Sequence, residues 1–221
     1  MKLILSALTK YIVGLVLIGA LLFLPAWTLR YPGAWLFLAL LFIPMLIMGV
    51  VLLFKAPALL EKRLNGKEKE KTQRGVIALS GLMFPVGFVV SALDFRFSWS
   101  VVPLWLVIVA SVLFLIGYAM YAEVMRENAY LSRTVAVQEG QIVISTGLYG
   151  IVRHPMYLAT LLMFLPLPLI LGSFWGLIPF ALYPVVTVIR ILNEEKVLRE
   201  GLVGYEEYTE KVKYRLIPFV F

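Results

Sequence analysis

The chain has 221 residues, of which 62% are hydrophobic and 15% charged, and its mean hydropathy is +0.93. Soluble domains carry roughly 45–50% apolar and about 25% charged residues, so most of this surface faces lipid instead of water. The net charge of +7 does not call for nucleic acid, because the basic residues sit beside apolar spans. With no cysteine and one histidine, disulfides, thiolate sites and a cysteine nucleophile are excluded, and no metal site is expected.

A membrane span needs about twenty apolar residues. The first runs from Tyr11 to Leu29 and stops at Arg30-Tyr31-Pro32-Gly33, a turn signal. Lys2 and Lys10 lie at its start and no small-x-small cleavage site follows, so it reads as an uncleaved helix. Ala34–Phe54 is the second span. The stretch Lys55–Arg74 is polar and basic, an orientation signal that also suits anionic lipid. Val76–Leu93 and Val101–Tyr121 are the third and fourth.

From Ala122 to Arg153, charged, polar and apolar residues mix without a spanning run, which predicts an interfacial segment. Tyr157–Leu192 is apolar but too long for one span. Pro166, Pro168 and Gly172-Ser173 near its middle predict a hairpin of two helices. The tail from Asn193 is polar. The expected fold is therefore an all-α polytopic bundle of about six transmembrane helices. Residues 1–121 hold four spans; residues 122–221 hold the interfacial segment, the hairpin and a cytoplasmic tail.

Six spans with an internal N-terminus leave only Arg30 and Arg96 outside, in accord with the positive-inside rule. Both termini and any site near the tail then face the cytoplasm. A turn near Gly172–Phe174 places His154 and Glu194 about twenty residues to either side, at equal depth by the helical rise. Arg153-His154-Pro155 and Glu194-Glu195 should be neighbours.

Each residue there has an ordinary explanation. Arg153 and Arg190 suit positive-inside anchors, Pro155 a first helical turn, and Tyr149 and Tyr157 an aromatic belt. Their convergence is harder to explain this way, because ionisable groups at membrane depth cost about 2.5–3.5 kcal/mol on insertion scales and tend to be paired or functional. Arg190 precedes Glu194 by four residues, on one helix face, which suits either a salt bridge or adjoining cation and anion sites.

The run Ser145-Thr146-Gly147-Leu148-Tyr149, then Arg153-His154-Pro155-Met156-Tyr157, a hydrophobic hairpin, and Arg190-Ile191-Leu192-Asn193-Glu194-Glu195 carries a resemblance. With Gly204-Tyr205-Glu206-Glu207-Tyr208 and Tyr214-Arg215-Leu216-Ile217-Pro218, residues from about Asn128 to Pro218 resemble the isoprenylcysteine carboxyl methyltransferase family, within the membrane methyltransferases that include phospholipid methyltransferases. The chain departs from that pattern at Ala159, where glycine is frequent, and at Leu148, where proline is frequent.

The resemblance implies S-adenosylmethionine as cofactor and a lipophilic methyl acceptor, an isoprenylcysteine-like carboxylate or another lipid, entering from the bilayer. It implies cofactor contact at Gln138, Gln141, Val143, Ile144, Tyr149, His154, Pro155, Met156, Tyr157 and Glu194. Arg190 is implied to face the substrate, with Arg153 as a second substrate contact, and Glu195 is a candidate base for an amine acceptor. Two other readings stay open. One is an NADPH-dependent membrane reductase, since sterol reductases carry a distantly similar hairpin. The other is a transporter or structural membrane protein, although no internal repeat is visible.

Overall fold

The computed structural model describes residues 2–65, 71–131 and 137–221, and among them helices are the regular elements and no strand occurs. Helix α1 (Lys2–Ala26) and α2 (Pro32–Lys55) form the first antiparallel pair. Pro32 opens α2 at its first turn, where a missing amide donor costs nothing. A short helix α3 (Pro57–Asn65) precedes α4 (Lys71–Phe97) and α5 (Leu104–Glu127). A 3₁₀ turn, Gly147–Gly150, leads to α6 (Pro155–Phe164) and α7 (Leu167–Ile170). The chain returns through α8 (Leu177–Phe180) and α9 (Leu182–Gly201) and ends with α10 (Tyr205–Lys211).

Four segments, Lys2–Ala26, Pro32–Lys55, Leu104–Glu127 and Leu177–Gly201, are long and apolar enough to cross a membrane. Their outward faces carry exposed Leu5, Val16, Leu24, Ile47 and Val185, side chains that suit lipid and not water. Pro155–Ile170 is a shorter apolar segment. The chain is thus built as a multi-pass helical membrane protein.

Among the differences from the sequence expectation, two bear on the site. Helix α5, the expected fourth span, does not end at Tyr121 but continues to Glu127, because Ala122–Glu127 contains no breaker and Arg126 pairs with Glu123 one turn back at 2.6 Å. The basic stretch after Lys55 is not simply a loop. Its first part folds as α3, whose Leu59 and Leu60 are buried with Val124, Met125 and Tyr149. The middle of that stretch, 66–70, and residues 132–136 of the interfacial segment lie outside the described residues.

The principal core is aromatic, with Phe37, Phe114 and Phe180 fully enclosed between α2, α4, α5 and the hairpin. Helices α5 and α6 approach so closely that a methyl group on Gly117 would come within 2.6 Å of the Ala159 carbonyl oxygen. Ala159 itself is fully buried, and its backbone is what position 117 must stay clear of.

The hairpin turns where expected, with Gly172 in the left-handed region at φ +78°. A buried polar clasp pins this turn to the rest of the bundle. Asp94 accepts hydrogen bonds from the Ser100 amide at 2.7 Å, the Ser100 hydroxyl at 2.6 Å and the Ser173 hydroxyl at 2.5 Å. Tyr31 donates to the Leu171 carbonyl at 2.7 Å. Fixing the turn fixes the register of α6 against α9, and with it the site at their far ends.

Candidate functional site

The site is assembled where α6 begins, and the reason lies in the preceding backbone. The Arg153 amide donates to the Tyr214 carbonyl at 2.9 Å and the His154 amide to the Arg215 carbonyl at 2.8 Å. The tail therefore runs alongside the segment that enters α6. Pro155 then starts the helix at a position that needs no amide donor.

Arg153 and Glu195 lock this junction. Arg153 Nε donates to Glu195 Oε1 at 2.6 Å, and its Nη1 donates to the Val212 and Lys213 carbonyls at 2.7 and 2.9 Å. Arg215 Nε holds the other Glu195 oxygen at 2.8 Å. Glu195 is 3% exposed and Arg153 is 6% exposed. Both were expected to serve the substrate or its proton. Arg153 Nε and Nη1 and both Glu195 oxygens are engaged within the protein; Arg153 also lines the cavity described next, and Glu195 does not.

A cavity with about 910 Å³ of open space, part of it continuous with solvent, lies above this junction. Its wall contains Gln141, Val143, Ile144, Tyr149, Arg153, His154, Pro155, Met156, Tyr157, Arg190 and Glu194. The two motifs, separated by the whole hairpin, do converge. Tyr157 joins them: its hydroxyl donates to Glu194 Oε2 at 2.6 Å and accepts from Arg190 Nε at 3.3 Å. The Arg190 guanidinium also lies 5.9 Å from the Tyr157 ring centroid.

Gln138 is placed differently from its neighbours. Its amide donates to Gln141 Oε1 at 2.9 Å and its side-chain oxygen accepts from Lys62 Nζ at 2.7 Å, behind the wall. It braces the Gln141–Ile144 strip and does not itself line the cavity.

Several wall residues were not singled out from sequence. Asn128 donates to the Tyr149 hydroxyl at 2.9 Å, and Tyr208 donates to the Tyr149 carbonyl at 2.7 Å. Burial pushes the Tyr149 phenol up to about 12, so it stays neutral. Val197 and Leu198 lie three and four residues beyond Glu194, a helical spacing that puts them on the same wall. Tyr205 and Tyr208, in the Gly204–Tyr208 motif, complete the side formed by the tail. Helix α3, assigned from sequence only to orientation, also reaches the site, since Arg63 bonds to the Tyr121 hydroxyl and lies 4.0 Å from Met156 Sδ.

Two buried polar atoms of this wall have no hydrogen-bond partner among the described residues: His154 Nε2 and the Tyr205 hydroxyl. His154 Nε2 lies 3.4 Å from Glu195 Oε1 without making a hydrogen bond to it. A buried polar atom left without a hydrogen bond costs about 1–3 kcal/mol, so two among the residues of one cavity wall call for an explanation.

A phospholipid methyltransferase family model matches residues 105–202. The match begins in α5 and ends just past α9, so it covers most of the residues that line the cavity and stops short of Tyr205 and Tyr208 on α10. It supports a membrane methyltransferase. Over 92 residues the chain is also 32% identical to the Delta(14)-sterol reductase of Mus musculus, covering 40% of this chain and 22% of that protein. The chain thus spans about a fifth of the length of the curated relative it matches.

Proposed function

We propose that the chain is an S-adenosylmethionine-dependent methyltransferase that acts on a lipophilic acceptor at the cytoplasmic membrane face. The observation that carries this reading is the cavity in which His154, Tyr157, Arg190 and Glu194 meet, with unpaired polar atoms in its wall. The donor set fits the cofactor's amino-acid end. His154 and neighbouring backbone suit its carboxylate, and Glu194 suits the ammonium or the ribose hydroxyls. Val143, Ile144 and Ile142 supply the apolar surface an adenine ring needs.

When bound, S-adenosylmethionine supplies an electrophilic methyl group. The protein's own contribution is placement. Arg190, held by Tyr157, orients an anionic acceptor, and the apolar wall excludes water from the pair. The acceptor we favour is a carboxylate on a prenyl-like or other lipid tail. It is ionised at neutral pH and needs no general base. We assign Arg153 and Glu195 to holding the tail on the junction and give neither a part in the chemistry.

The surrounding bundle supports six spans in place of the four that satisfy length and hydropathy alone. Helix α4 is 27 residues long, and α6 with α7 forms an ascending arm to which α8 and α9 are the return. Six passes put the site, both termini and the basic residues of α3 on the cytoplasmic side.

The sterol reductase similarity favours one other reading, reduction with NADPH. Among the described residues that line the cavity, Arg153 and Arg190 are the cations and no glycine-rich phosphate loop is present, so a dinucleotide's phosphates are poorly served. The deciding experiment is calorimetry on detergent-purified protein with S-adenosylmethionine, S-adenosylhomocysteine and NADPH, beside His154→Ala and Glu194→Ala. Micromolar binding of the first two ligands, lost in both variants, is expected. Binding of NADPH alone would replace this reading with the reductase.

A further inference from the structure

Tyr205 and Tyr208 stand one helical turn apart on α10, with ring centroids 5.8 Å apart, in the same small hydrophobic cluster with Leu202 and Val212. Both are buried, at 4% and 5% exposure, and both line the cavity. Their hydroxyls differ. That of Tyr208 donates to the Tyr149 carbonyl at 2.7 Å, which ties the tail to the cavity wall. That of Tyr205 is buried with no partner. Packing alone does not explain it, because a phenylalanine would fill the same hydrophobic cluster without burying an unsatisfied donor.

The chemistry around Tyr205 narrows what would satisfy it. Burial and the nearby Glu195 and Glu194 raise its phenol well above the ordinary range, so it stays a neutral O–H. It therefore offers a proton to an acceptor oxygen. The other unpartnered atom of the same wall is His154 Nε2. Two buried polar atoms without a hydrogen bond in one wall suit a ligand group with two oxygens better than a single hydroxyl or an amine, which Glu194 serves in that reading.

From this arrangement we infer that the Tyr205 hydroxyl is a ligand-binding group that donates to the carboxylate of the cofactor's amino-acid end, opposite His154. This rests on the methyltransferase reading above. It gives the tail a chemical part in binding: α10 covers the site and also contributes a donor that finds its partner only in the complex. The melting temperature without ligand should not fall in Tyr205→Phe, because the hydroxyl makes no internal bond to lose.

The test is calorimetric titration of the full-length protein and Tyr205→Phe with two probes, S-adenosylhomocysteine and methylthioadenosine, the second lacking the amino-acid end. The expected result is S-adenosylhomocysteine affinity weakened about tenfold or more, with methylthioadenosine affinity unchanged, as for loss of one hydrogen bond to a charged group. Equal weakening of both probes, or of neither, overturns the assignment while leaving the cofactor reading in place. Absence of S-adenosylhomocysteine binding to the unaltered protein overturns the cofactor reading itself. A lowered melting temperature of Tyr205→Phe without ligand also counts against it, since it would show that the hydroxyl has an internal role.

Discussion

The Tyr157 hydroxyl donates to Glu194 Oε2 at 2.6 Å, joining the first turn of α6 to the fourth turn of α9 across the open end of the hairpin. The same oxygen accepts from Arg190 at 3.3 Å, so one phenol sets the spacing between a cation and an anion on a single cavity wall. Arg190 and Glu194 stand four residues apart on α9, and the one phenol contacts both.

Removing that phenol should misplace both neighbours without unfolding the bundle. Tyr157→Phe is expected to weaken S-adenosylhomocysteine binding roughly tenfold to a hundredfold, the scale of a hydrogen bond to a charged partner at about 1.5–3 kcal/mol. Calorimetry beside a thermal melt checks this. An unchanged affinity would separate Glu194 from cofactor binding.

Arg190 and Glu194 should fail in different ways. Arg190→Gln is expected to raise KM for the acceptor or lower kcat while S-adenosylhomocysteine affinity holds. Glu194→Gln is expected to lose cofactor affinity first. Steady-state kinetics with a prenylated carboxylate acceptor, paired with binding of the product cofactor, distinguishes them. Loss of cofactor affinity in Arg190→Gln would move that arginine to the cofactor side.

Glu195 should behave as a structural residue. It is buried and shared by Arg153 and Arg215, and removing one partner of a buried ion pair costs about 3–5 kcal/mol. Glu195→Ala is thus expected to lower the melting temperature markedly and to loosen the tail, which proteolysis downstream of Gly201 would register. A stable Glu195→Ala protein with intact tail protection and abolished turnover would return Glu195 to the chemistry.

The pH dependence of turnover reports the acceptor's class. A carboxylate acceptor is ionised above roughly pH 5, so the rate should be level from about pH 6 to 8. An amine acceptor must lose a proton, so its rate would climb with pH across that window. A climbing profile with saturating ligands would replace the carboxylate with an amine and require a base.

Close packing of α5 on α6 gives a further check on the scaffold. Gly117→Leu cannot be accommodated against the Ala159 carbonyl and Met163 without separating the helices. Reduced thermal stability together with weakened cofactor binding is expected, since α6 carries His154 and Tyr157 at its start. Unaltered binding would show that the site is insensitive to this contact.

Much of the architecture was legible from residue order, and the limits are instructive. The apolar spans, the hairpin turn at Gly172 and the meeting of Arg153-His154 with Glu194-Glu195 follow from hydropathy, helix breakers and helical rise. The continuation of α5 to Glu127 did not, because charged helix-forming residues resemble an interfacial segment in composition. Helix α3 was hidden in a basic stretch whose charge dominates any window, although Leu59, Leu60 and Leu64 mark its apolar side.

The sequence by itself determined that this chain is a set of apolar helices with its polar groups gathered at one end, because a bilayer leaves backbone groups no partner except their own helix. Only the tertiary structure decided which of those polar groups line the cavity. Arg153 and Arg190, or Glu194 and Glu195, are equivalent by residue type and nearly so by position. Their directions are set by contacts with the tail and hairpin tens of residues away. Adjacent positions on a helix point about 100° apart, so Glu195 turns into an ion-pair cluster while Glu194 turns into the cavity.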